Sequence, residues 1–394
     1  MLRTHKLRCY PNATMRRALK QACDYRRYCF NQALATWNDM YDECVILKDK
    51  HLRPNERKVR DELVANKADW QFARSARILQ LAVHDLAQGW KNFFNAKMPD
   101  HDKPRFKSRK RNRQVFKTDR ATIVNGKLQL DKPQAYMGAW YGIRLAETPR
   151  WAGTIRLATI TEEADGYYVS LNIEAEQPEL LPASERVCGV DANIGKYVYN
   201  DGDVMATLPV LSTKLVGLYD RISLYQRQLA RKRRANPKHF LSKHYRATKT
   251  KLRRAYQKVA RIQTDLLQKL TTQLVFANGT IAIEDLDAKH MKMNKQLAKN
   301  LHRSLFGRFK VLMQDKVTWY GRTLVLVDRF YPSTQRCSRC GLVKTGLDKL
   351  TLAGNQHHHT KHREFHCYGC GARLERDENA VLNLIQYAKG QAMS

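Results

Sequence analysis

The chain has 394 residues, with 71 Lys and Arg against 37 Asp and Glu, so its formal net charge at pH 7 is +34. A hydrophobic content of 43% excludes wholesale disorder, and the length suffices for two or three domains with separate cores. So large a positive excess opposes folding by self-repulsion unless a polyanion neutralises it, and we therefore expect nucleic acid as the partner. A ribosomal or histone-like structural protein would also be basic, and an acidic membrane surface is a further alternative.

No apolar run approaches the roughly 18–20 residues that a membrane-spanning helix needs. The opening residues, MLRTHKLR, lack the apolar core of a signal peptide. We therefore expect no membrane partner and a cytoplasmic, nucleoid-associated location in a prokaryote.

The first half of the chain combines helical and strand patterns. Residues 3–10 read as a strand, and helical periodicity follows over 13–46, 54–66 and 71–97. Residues 98–120 are predicted to be a loop. Further strand candidates, separated by Asn-Gly and Asp-Gly turns, are Thr122–Val124, Leu128–Leu130, Gly153–Ile160 and Tyr167–Ile173. The pattern predicts a small antiparallel β-barrel that includes the first strand and carries the helices as an insertion.

Two parts of this half are candidate nucleic-acid contacts. The third helical segment has an apolar stripe, and its opposite face carries Arg77, Gln80 and His84, which form either a solvated surface or a platform for reading a DNA groove. The loop that follows is basic. Its candidate nucleic-acid-binding residues are Lys107, Arg109, Lys110 and Arg111.

The second half alternates strands with helices, which predicts an α/β layer. The strand candidates are Val187–Asp191, Tyr197–Tyr199, Asp203–Thr207, Thr280–Glu284 and Thr323–Asp328. The helical segments are 212–235, 239–277, 302–320 and 377–388. The first two are rich in Lys and Arg and are divided by Asn236-Pro237. Residues 177–185 read as a linker.

Two Cys-x-x-Cys pairs form the most specific local motif: Cys337 with Cys340, and Cys367 with Cys370. Four thiolates from two such turns favour a tetrahedral structural Zn²⁺ site. The intervening 26 residues contain five histidines, one of which could replace a cysteine as ligand; they are His357, His358, His359, His362 and His366. A surface loop is the simpler interpretation of these histidines, and the other five cysteines are expected to be reduced.

Three acids surround this motif in the sequence. Asp191 and Glu284 each end an apolar run that predicts a buried strand, and Asp377 opens a short amphipathic helix. Each alone could be a cap, a turn residue or a helix N-terminal charge. Together, strand-borne carboxylates that converge are what a two-metal phosphoryl-transfer site needs. The combination with the basic charge favours a nuclease.

The chain resembles the TnpB family of transposon-encoded, RNA-guided nucleases related to type V CRISPR effectors. In the first half the matching segments are Leu7–Pro11, Tyr28–Leu34, Pro104–Ser108 and Ala164–Tyr168. In the second half they are Gly189–Asp191, Ile283–Leu286, Trp319–Gly321, Arg329–Ser333, Cys337–Gly341 and Arg376–Ala380. Three departures are Asn193, where many relatives have Gly, Glu375, where many have Asp, and the longer, His-rich segment between the cysteine pairs.

The resemblance implies a multi-domain α/β protein. A β-barrel wedge domain would occupy 1–10 and 98–180, with a helical recognition domain, 11–97, inserted in it. An RNase H-like (RuvC) nuclease domain would occupy 187–336 and 371–394, with a zinc ribbon, 337–370, inserted in that. The RuvC ligands for two Mg²⁺ would be Asp191, Glu284 and Asp377.

The function implied is RNA-guided endonucleolytic cleavage of DNA beside a short flanking motif. The partners would be a noncoding guide RNA and double-stranded target DNA, with the protein a monomer in the RNA complex. Two alternatives stay open: an RNA-guided repressor or RNA chaperone that does not cut, and an RNase H-like transposase that acts without RNA.

Overall fold

The computed structural model describes residues 1–109, 112–131, 142–202, 204–286, 305–361 and 363–392. These residues form two compact units, Met1–Gln177 and Pro178–Ser394. The boundary lies at the start of the predicted linker. None of the helices in these ranges combines the length and apolarity that crossing a bilayer requires.

The first unit begins with a strand and four helices and continues with six strands. The helices are α1 (Ala13–Ile46), α2 (Glu56–Ala65), α3 (Asp69–Phe72) and α4 (Ala76–Phe93). The strands are β1 (Leu2–Tyr10), β2 (Gln114–Thr118), β3 (Thr122–Val124), β4 (Lys127–Gln129), β5 (Ile143–Leu145), β6 (Thr154–Glu163) and β7 (Gly166–Glu174). The predicted insertion of helices between the first strand and the rest of the sheet is therefore observed.

These strands form one antiparallel sheet in the order β2-β6-β7-β1-β5-β4-β3. The N-terminal strand β1 lies at its centre, because it pairs with β7 along its length and with β5 at its end. The described strands leave β2 and β3 as edges, so closure into a barrel stays a prediction. The sheet and the helices share one hydrophobic core, which joins residues such as Leu7 and Val169 to Leu34 and Leu86.

Two details of this unit differ from the sequence prediction. The third helical segment starts at Ala76 and not at 71, because the Ser75 side chain accepts a hydrogen bond from the backbone of Arg77 and caps the helix. The predicted loop 98–120 contains β2, whose Phe116 and Thr118 are buried. This strand has five residues, and only two of them point inward. Its apolar alternation is therefore too short to be recognised within a basic segment.

The second unit is an α/β layer with a small two-stranded ribbon. The strands are β8 (Val187–Asn193), β9 (Lys196–Asp201), β10 (Val204–Pro209), β11 (Thr280–Glu284), β12 (Thr323–Val327), β13 (Glu364–His366) and β14 (Arg373–Glu375). The helices are α5 (Thr213–Ala235), α6 (Lys243–Ala277), α7 (Phe306–Tyr320), α8 (Leu352–His357) and α9 (Arg376–Ala392). The main sheet has the order β10-β9-β8-β11-β12, with β8, β11 and β12 parallel.

Alternation along β8 and β11 gives the sheet two different faces. Cys188, Val190, Ile281 and Ile283 pack against α6 and α7, in a core that includes Leu270 and Phe309. The intervening residues point the other way, where Ala282 packs with Leu384 and Ala388 of α9. Helix α9 therefore covers the face onto which Asp191 and Glu284 project.

Gly189 permits the close approach of α9 to β8. A Cβ atom at this position would lie 2.5 Å from the Val381 carbonyl oxygen and 3.2 Å from side-chain atoms of Leu384 and Ile385. Gly189 shares a face with Asp191, two residues on, so the contact of helix with strand is tightest beside that acid. The Gly-Val-Asp motif thus has a packing reason for its glycine.

We predict that Gly189→Ala destabilises the protein by about 1–3 kcal/mol, the usual cost of overpacking a core. The matched control is Gly217→Ala in α5, where nothing lies within 4 Å of the added methyl group. The control should be neutral or stabilising by about 0.4–1 kcal/mol. Denaturant unfolding of the two variants would measure both, and equal stability of the two would contradict the packing argument.

Candidate active site and metal centre

Asp191 and Glu284 are neighbours because of the strand register. Val190 of β8 is paired with Ile283 of β11 in parallel, and each acid is the next residue along its strand. Paired strands lie about 4.8 Å apart, so the two side chains project side by side onto the face that α9 covers. Asp191 is only 3% exposed, and its Oδ2 accepts a hydrogen bond of 2.6 Å from Asn193 Nδ2. Glu284 Oε1 accepts a hydrogen bond from the Ser333 hydroxyl.

Asp377 reaches the same face from the first turn of α9. Glu375 caps this helix, because its Oε2 accepts hydrogen bonds from the backbone N–H groups of Asp377 and Glu378, at 2.9 and 3.0 Å. The fully buried carboxylate of Asp377 is paired with two cations, Lys196 Nζ at 2.6 Å and Arg376 Nη2 at 2.8 Å. Glu375 therefore fixes the start of the helix, and the two cations hold the carboxylate.

The three acids differ in their electrostatic surroundings. Burial, followed by the charges of Glu284 and Asp377, raises the pKa of Asp191 to about 7, against the opposing effects of Asn193 and Arg376. Burial also raises the pKa of Glu284, with the Ser333 hydroxyl acting in the opposite direction. Burial alone would raise the pKa of Asp377, but the hydrogen bonds and charges of Lys196 and Arg376 lower it overall. Within the described ranges Asp191 and Glu284 thus form no ion pair, and a divalent cation would supply the positive charge.

The donor set fits hard divalent cations, which prefer carboxylate oxygens. The three carboxylates are not among the groups of described residues whose ligand atoms all lie within 4.8 Å of one another. A site for two cations is wider than one for a single ion, since the cations lie about 3.5–4 Å apart. Full coordination by Asp377 would require its carboxylate to exchange the ammonium of Lys196 for a metal ion.

Helix α9 also holds the loop and the knuckle that precede it in the sequence. Asn383 Nδ2 donates to the carbonyls of Ser333 and Arg336, at 2.8 and 2.7 Å. Asn379 accepts from the Ser338 backbone at 3.0 Å and donates to the Arg336 carbonyl at 2.7 Å. One helix therefore positions Asp377, the loop that bears the Glu284 partner, and the first cysteine pair.

The four predicted cysteines converge in the ribbon. All four sulfurs lie within 4.8 Å of one another, with Cys337 and Cys370 separated by 3.7 Å and Cys340 and Cys367 by 3.5 Å. A tetrahedral site with Zn–S bonds of about 2.3 Å requires sulfurs about 3.8 Å apart. The cluster can therefore hold a metal such as zinc with little rearrangement.

The two cysteine turns have the same backbone geometry. In each, the N–H of the first cysteine donates to the carbonyl five residues on at 2.8 Å, and the glycine after the second cysteine donates back at 2.9 Å. These glycines, Gly341 and Gly371, have φ values of +79° and +69°, which other residues adopt with difficulty. The Cys-x-x-Cys-Gly spacing thus produces two equivalent knuckles.

The surroundings of the cluster are aromatic and contain one buried cation. Lys344 Nζ lies 4.3 Å from the ring centroid of Tyr368 and 4.8 Å from that of Phe365, beside the thiols of Cys337 and Cys367. The positive charge of Lys344 would partly neutralise the net negative charge of a complex between a divalent metal and four thiolates. The described histidines do not join the cysteine cluster: His358 stacks on Tyr368 at 4.2 Å and contacts Asp348, while His362 lies outside the described residues.

The face of α4 that was a candidate for groove reading is already engaged within the protein. Arg77 makes a two-point contact with Asp119 and donates to Gln80 Oε1 at 2.7 Å. His84 Nδ1 lies 3.1 Å from a carboxylate oxygen of Glu56. Recognition of DNA by this face would require these contacts to open, and its role stays a prediction.

The candidate nucleic-acid-binding residues of the basic loop also differ in how far other residues of the protein engage them. Lys107 is half-buried with its Nζ 3.1 Å from the centroid of the Phe30 ring, and burial lowers the pKa of this lysine to about 8. Arg109 is exposed, with Asp24 at 4.0 Å. Lys110 and Arg111 lie outside the described residues. A phosphate contact is therefore more accessible to Arg109 than to Lys107.

Four residues of the site were not predicted as members: Asn193, Lys196, Ser333 and Arg376. Three lie within the motifs that carry the family resemblance or beside them, so their positions were visible although their contacts were not. Lys196 had no local signal, since its proximity to Asp377 depends on how α9 packs against β9.

The buried Asp191 gives a testable pH dependence. Its pKa of about 7 in the folded protein compares with about 3.9 in an unfolded chain. Between these values the folded protein retains a proton that the unfolded chain has lost, so stability falls as pH rises, by at most about 1.4 kcal/mol per pH unit. In metal-free protein, the stability difference between Asp191→Asn and wild type should therefore grow from pH 5 to pH 7. Denaturant unfolding measures it, and a constant difference would contradict the assignment.

Comparisons with known proteins place the chain in a family. The sequence profile described as "Cas12f1-like, TNB domain" matches residues 306–384, "Probable transposase" matches 170–295, and "Helix-turn-helix domain" matches 1–44. The last of these covers β1 and most of the single helix α1, so residues 1–44 contain no pair of helices here. Among solved structures, Cas12f1 in complex with sgRNA and target DNA has a similar fold, with a TM-score of 0.53, 13% identity and 98% of each chain covered.

The relatives support the same placement. A Streptomyces pristinaespiralis protein named "Putative RNA-guided DNA endonuclease" is 30% identical, over 80% of this chain and 72% of its own length. InsQ of Escherichia coli K12, which has the same descriptive name, is 26% identical, over 82% of this chain and 80% of its own. A mimivirus protein named TnpB-like protein L79 is 26% identical, over 50% of this chain and 36% of its own. The chain belongs to the TnpB family.

Proposed function

We propose that this protein is an RNA-guided DNA endonuclease of a transposon, which cleaves target DNA beside a short flanking motif. The observation that carries the proposal is the convergence of Asp191, Glu284 and Asp377 on one buried face, within a chain of charge +34. The names of the relatives and the fold shared with Cas12f1 support the same activity. Sequence would be read by base pairing with the RNA, and the protein would read the flanking motif and the backbone shape.

In this proposal the acids hold two Mg²⁺, which when bound would supply an activated water and stabilise the leaving oxygen. Asp191 and Glu284 provide carboxylates on adjacent strands, and Asp377 provides the third from α9. Ser333 and Asn193 orient the first two by hydrogen bonds. Lys196 and Arg376 keep Asp377 ionised, and Lys196 would give way to a metal ion at this carboxylate. One centre would serve both cuts, so the strands would be cleaved one after the other.

The helices α5 and α6 provide a strongly basic surface in the second unit. Residues 213–277 contain 17 Lys and Arg and two acids, Asp220 and Asp265. The helices pack on each other through a narrow apolar seam that includes Leu218 and Val259, so most of the cationic side chains lie outside it. We assign this helical pair to contacts with the phosphates of the guide RNA.

The remaining assignments complete the proposal. The sheet of the first unit would be the wedge domain, its helices the recognition domain, the α/β layer a RuvC-like domain, and the cysteine ribbon a structural zinc site near the target strand. Arg77, Gln80 and His84 would read the flanking motif once Asp119 and Glu56 release them. The protein would act as a monomer in the RNA complex, in the prokaryotic cytoplasm.

The proposal predicts that Asp191→Asn abolishes Mg²⁺-dependent cleavage of both strands while RNA and target binding persist, because Lys and Arg elsewhere neutralise the phosphates. The matched control is Glu174→Gln, which removes an exposed carboxylate of β7 that pairs with Arg156. Cleavage and gel-shift assays on complexes expressed with the native flanking DNA would measure both properties, and the control should retain both.

Three outcomes would contradict the proposal. Cleavage by Asp191→Asn at the wild-type rate would remove the metal assignment. Guided binding without cleavage by the wild-type complex would favour a repressor. Purification with only heterogeneous, salt-removable nucleic acid and no discrete RNA would favour a transposase that acts without a guide.

A further inference from the structure

Phe330 has an exposure that its own fold does not explain. Its side chain is 85% exposed, more than any other large hydrophobic side chain in the described ranges. Burying a phenylalanine side chain stabilises a fold by about 1.5–3 kcal/mol. The exposed Phe330 ring does not contribute this free energy to folding. A polar residue would serve the turn equally well. The ring is therefore a candidate contact for a ligand.

The backbone that carries this ring is fixed on both sides. The Phe330 N–H donates to Asp328 Oδ1 at 2.7 Å, and the Tyr331 N–H donates to the Asp328 carbonyl at 3.0 Å. The Tyr331 ring packs edge-on against Tyr387 of α9, with centroids 4.9 Å apart. The Ser333 carbonyl accepts from Asn383. Phe330 is thus presented to solvent from a loop that is anchored to α9.

Phe330 is close in sequence to a residue that contacts the proposed nuclease centre. Ser333, three residues further along the chain, donates its hydroxyl to Glu284. A fully extended chain spans at most about 3.6 Å per residue, so the Cα atoms of Phe330 and Ser333 are within about 11 Å. A single strand of a few nucleotides with one phosphate at the acids could therefore place a nearby base at the ring.

We propose that Phe330 stacks on a nucleobase of the DNA strand held at Asp191, Glu284 and Asp377, and so sets which phosphate reaches the acids. The proposal rests on the proposed function. The charge of +34 selects polyanions as ligands, and every nucleobase offers an apolar face to an aromatic ring. In a duplex these faces are covered by neighbouring bases, so the ring selects an unpaired base.

The test uses the full-length complex with Asp191→Asn, which cannot cut in the proposed mechanism, and single-stranded DNA that carries 2-aminopurine at one position. The position is stepped along the strand, because stacking quenches the fluorescence of this base. We expect quenching at one position that is lost in Phe330→Ala and retained in Phe330→Trp. The control Val204→Ala, at a side chain 69% exposed on β10, should leave it unchanged.

Cleavage kinetics with the acids intact provide a second readout. Phe330→Ala should raise the KM for the cut strand about 5- to 150-fold, the equivalent of one base–aromatic stack, with a smaller effect on kcat. The melting temperature should stay at the wild-type value, because the ring makes no core contact. Phe330→Trp should restore the KM.

The outcomes separate the two proposals. Quenching and KM that do not respond to Phe330→Ala, in an enzyme whose cleavage depends on Asp191, would overturn the stacking role alone. Quenching that depends on Phe330 in a protein that never cleaves DNA would support stacking and overturn the nuclease. A change in oligomeric mass with unchanged quenching would assign the ring to a contact between copies of the chain and would also overturn stacking.

Discussion

Burial of carboxylates close together, and the repulsion that Glu284 and Asp377 exert on Asp191, are the constraint on which the rest of the second unit depends. Asp191 and Glu284 follow paired positions of adjacent strands, and Asp377 is placed over them by α9. Among the residues that the structure describes, Asp377 has two ion-pair partners, Lys196 and Arg376. Asp191 is buried and Glu284 is half-buried, and both have a raised pKa, which is a cost in stability. Functional sites often retain such a cost because the missing charge is supplied by a ligand.

The fold opposes this repulsion by fixing α9 at several points. Gly189 lets the helix approach β8, Glu375 caps its first turn, and Asn379 and Asn383 bind the segment from Ser333 to Ser338. The first cysteine pair begins within that segment. Helix α9 holds Asp377, the loop that contains Ser333 and the first cysteine pair. Loss of a metal ion from the ribbon should therefore change the arrangement of the three acids through α9. This connection gives the ribbon a structural role in the site in addition to any contact with nucleic acid.

Most of the elements, and the three acids and four cysteines that the structure brings to two places, could be predicted from the sequence. Periodicity located α1, α5 and β11 to within a few residues, and the Asn236-Pro237 pair marked the end of α5. The cysteine spacing alone indicated the ribbon. The strand β2 was missed because its alternation is short, and β5 because its three residues, unlike those of β3 and β4, have no Asn-Gly or Asp-Gly turn beside them.

Contacts between distant segments were beyond the sequence. The pairing of Arg77 with Asp119, of Lys196 with Asp377 and of Lys107 with the Phe30 ring each depends on tertiary packing that no local pattern encodes. These contacts change the interpretation of individual basic residues: a cation that looks available in the sequence is engaged in the fold. Exposure, as at Phe330, is likewise a property of the packed molecule.

The central claim is that the three acids form a cation site whose occupant relieves their repulsion. The most direct test is thermal unfolding of the RNA complex, initially free of divalent ions, as Mg²⁺ is added, for wild type and Asp191→Asn. The account predicts that without Mg²⁺ the variant melts at a higher temperature than wild type, and that Mg²⁺ raises the melting temperature of wild type more, as binding to the folded state requires. The RNA contributes equally to both. Two results together would contradict the account: a wild type that melts at a higher temperature than Asp191→Asn without Mg²⁺, and an equal rise in melting temperature of the two proteins when Mg²⁺ is added.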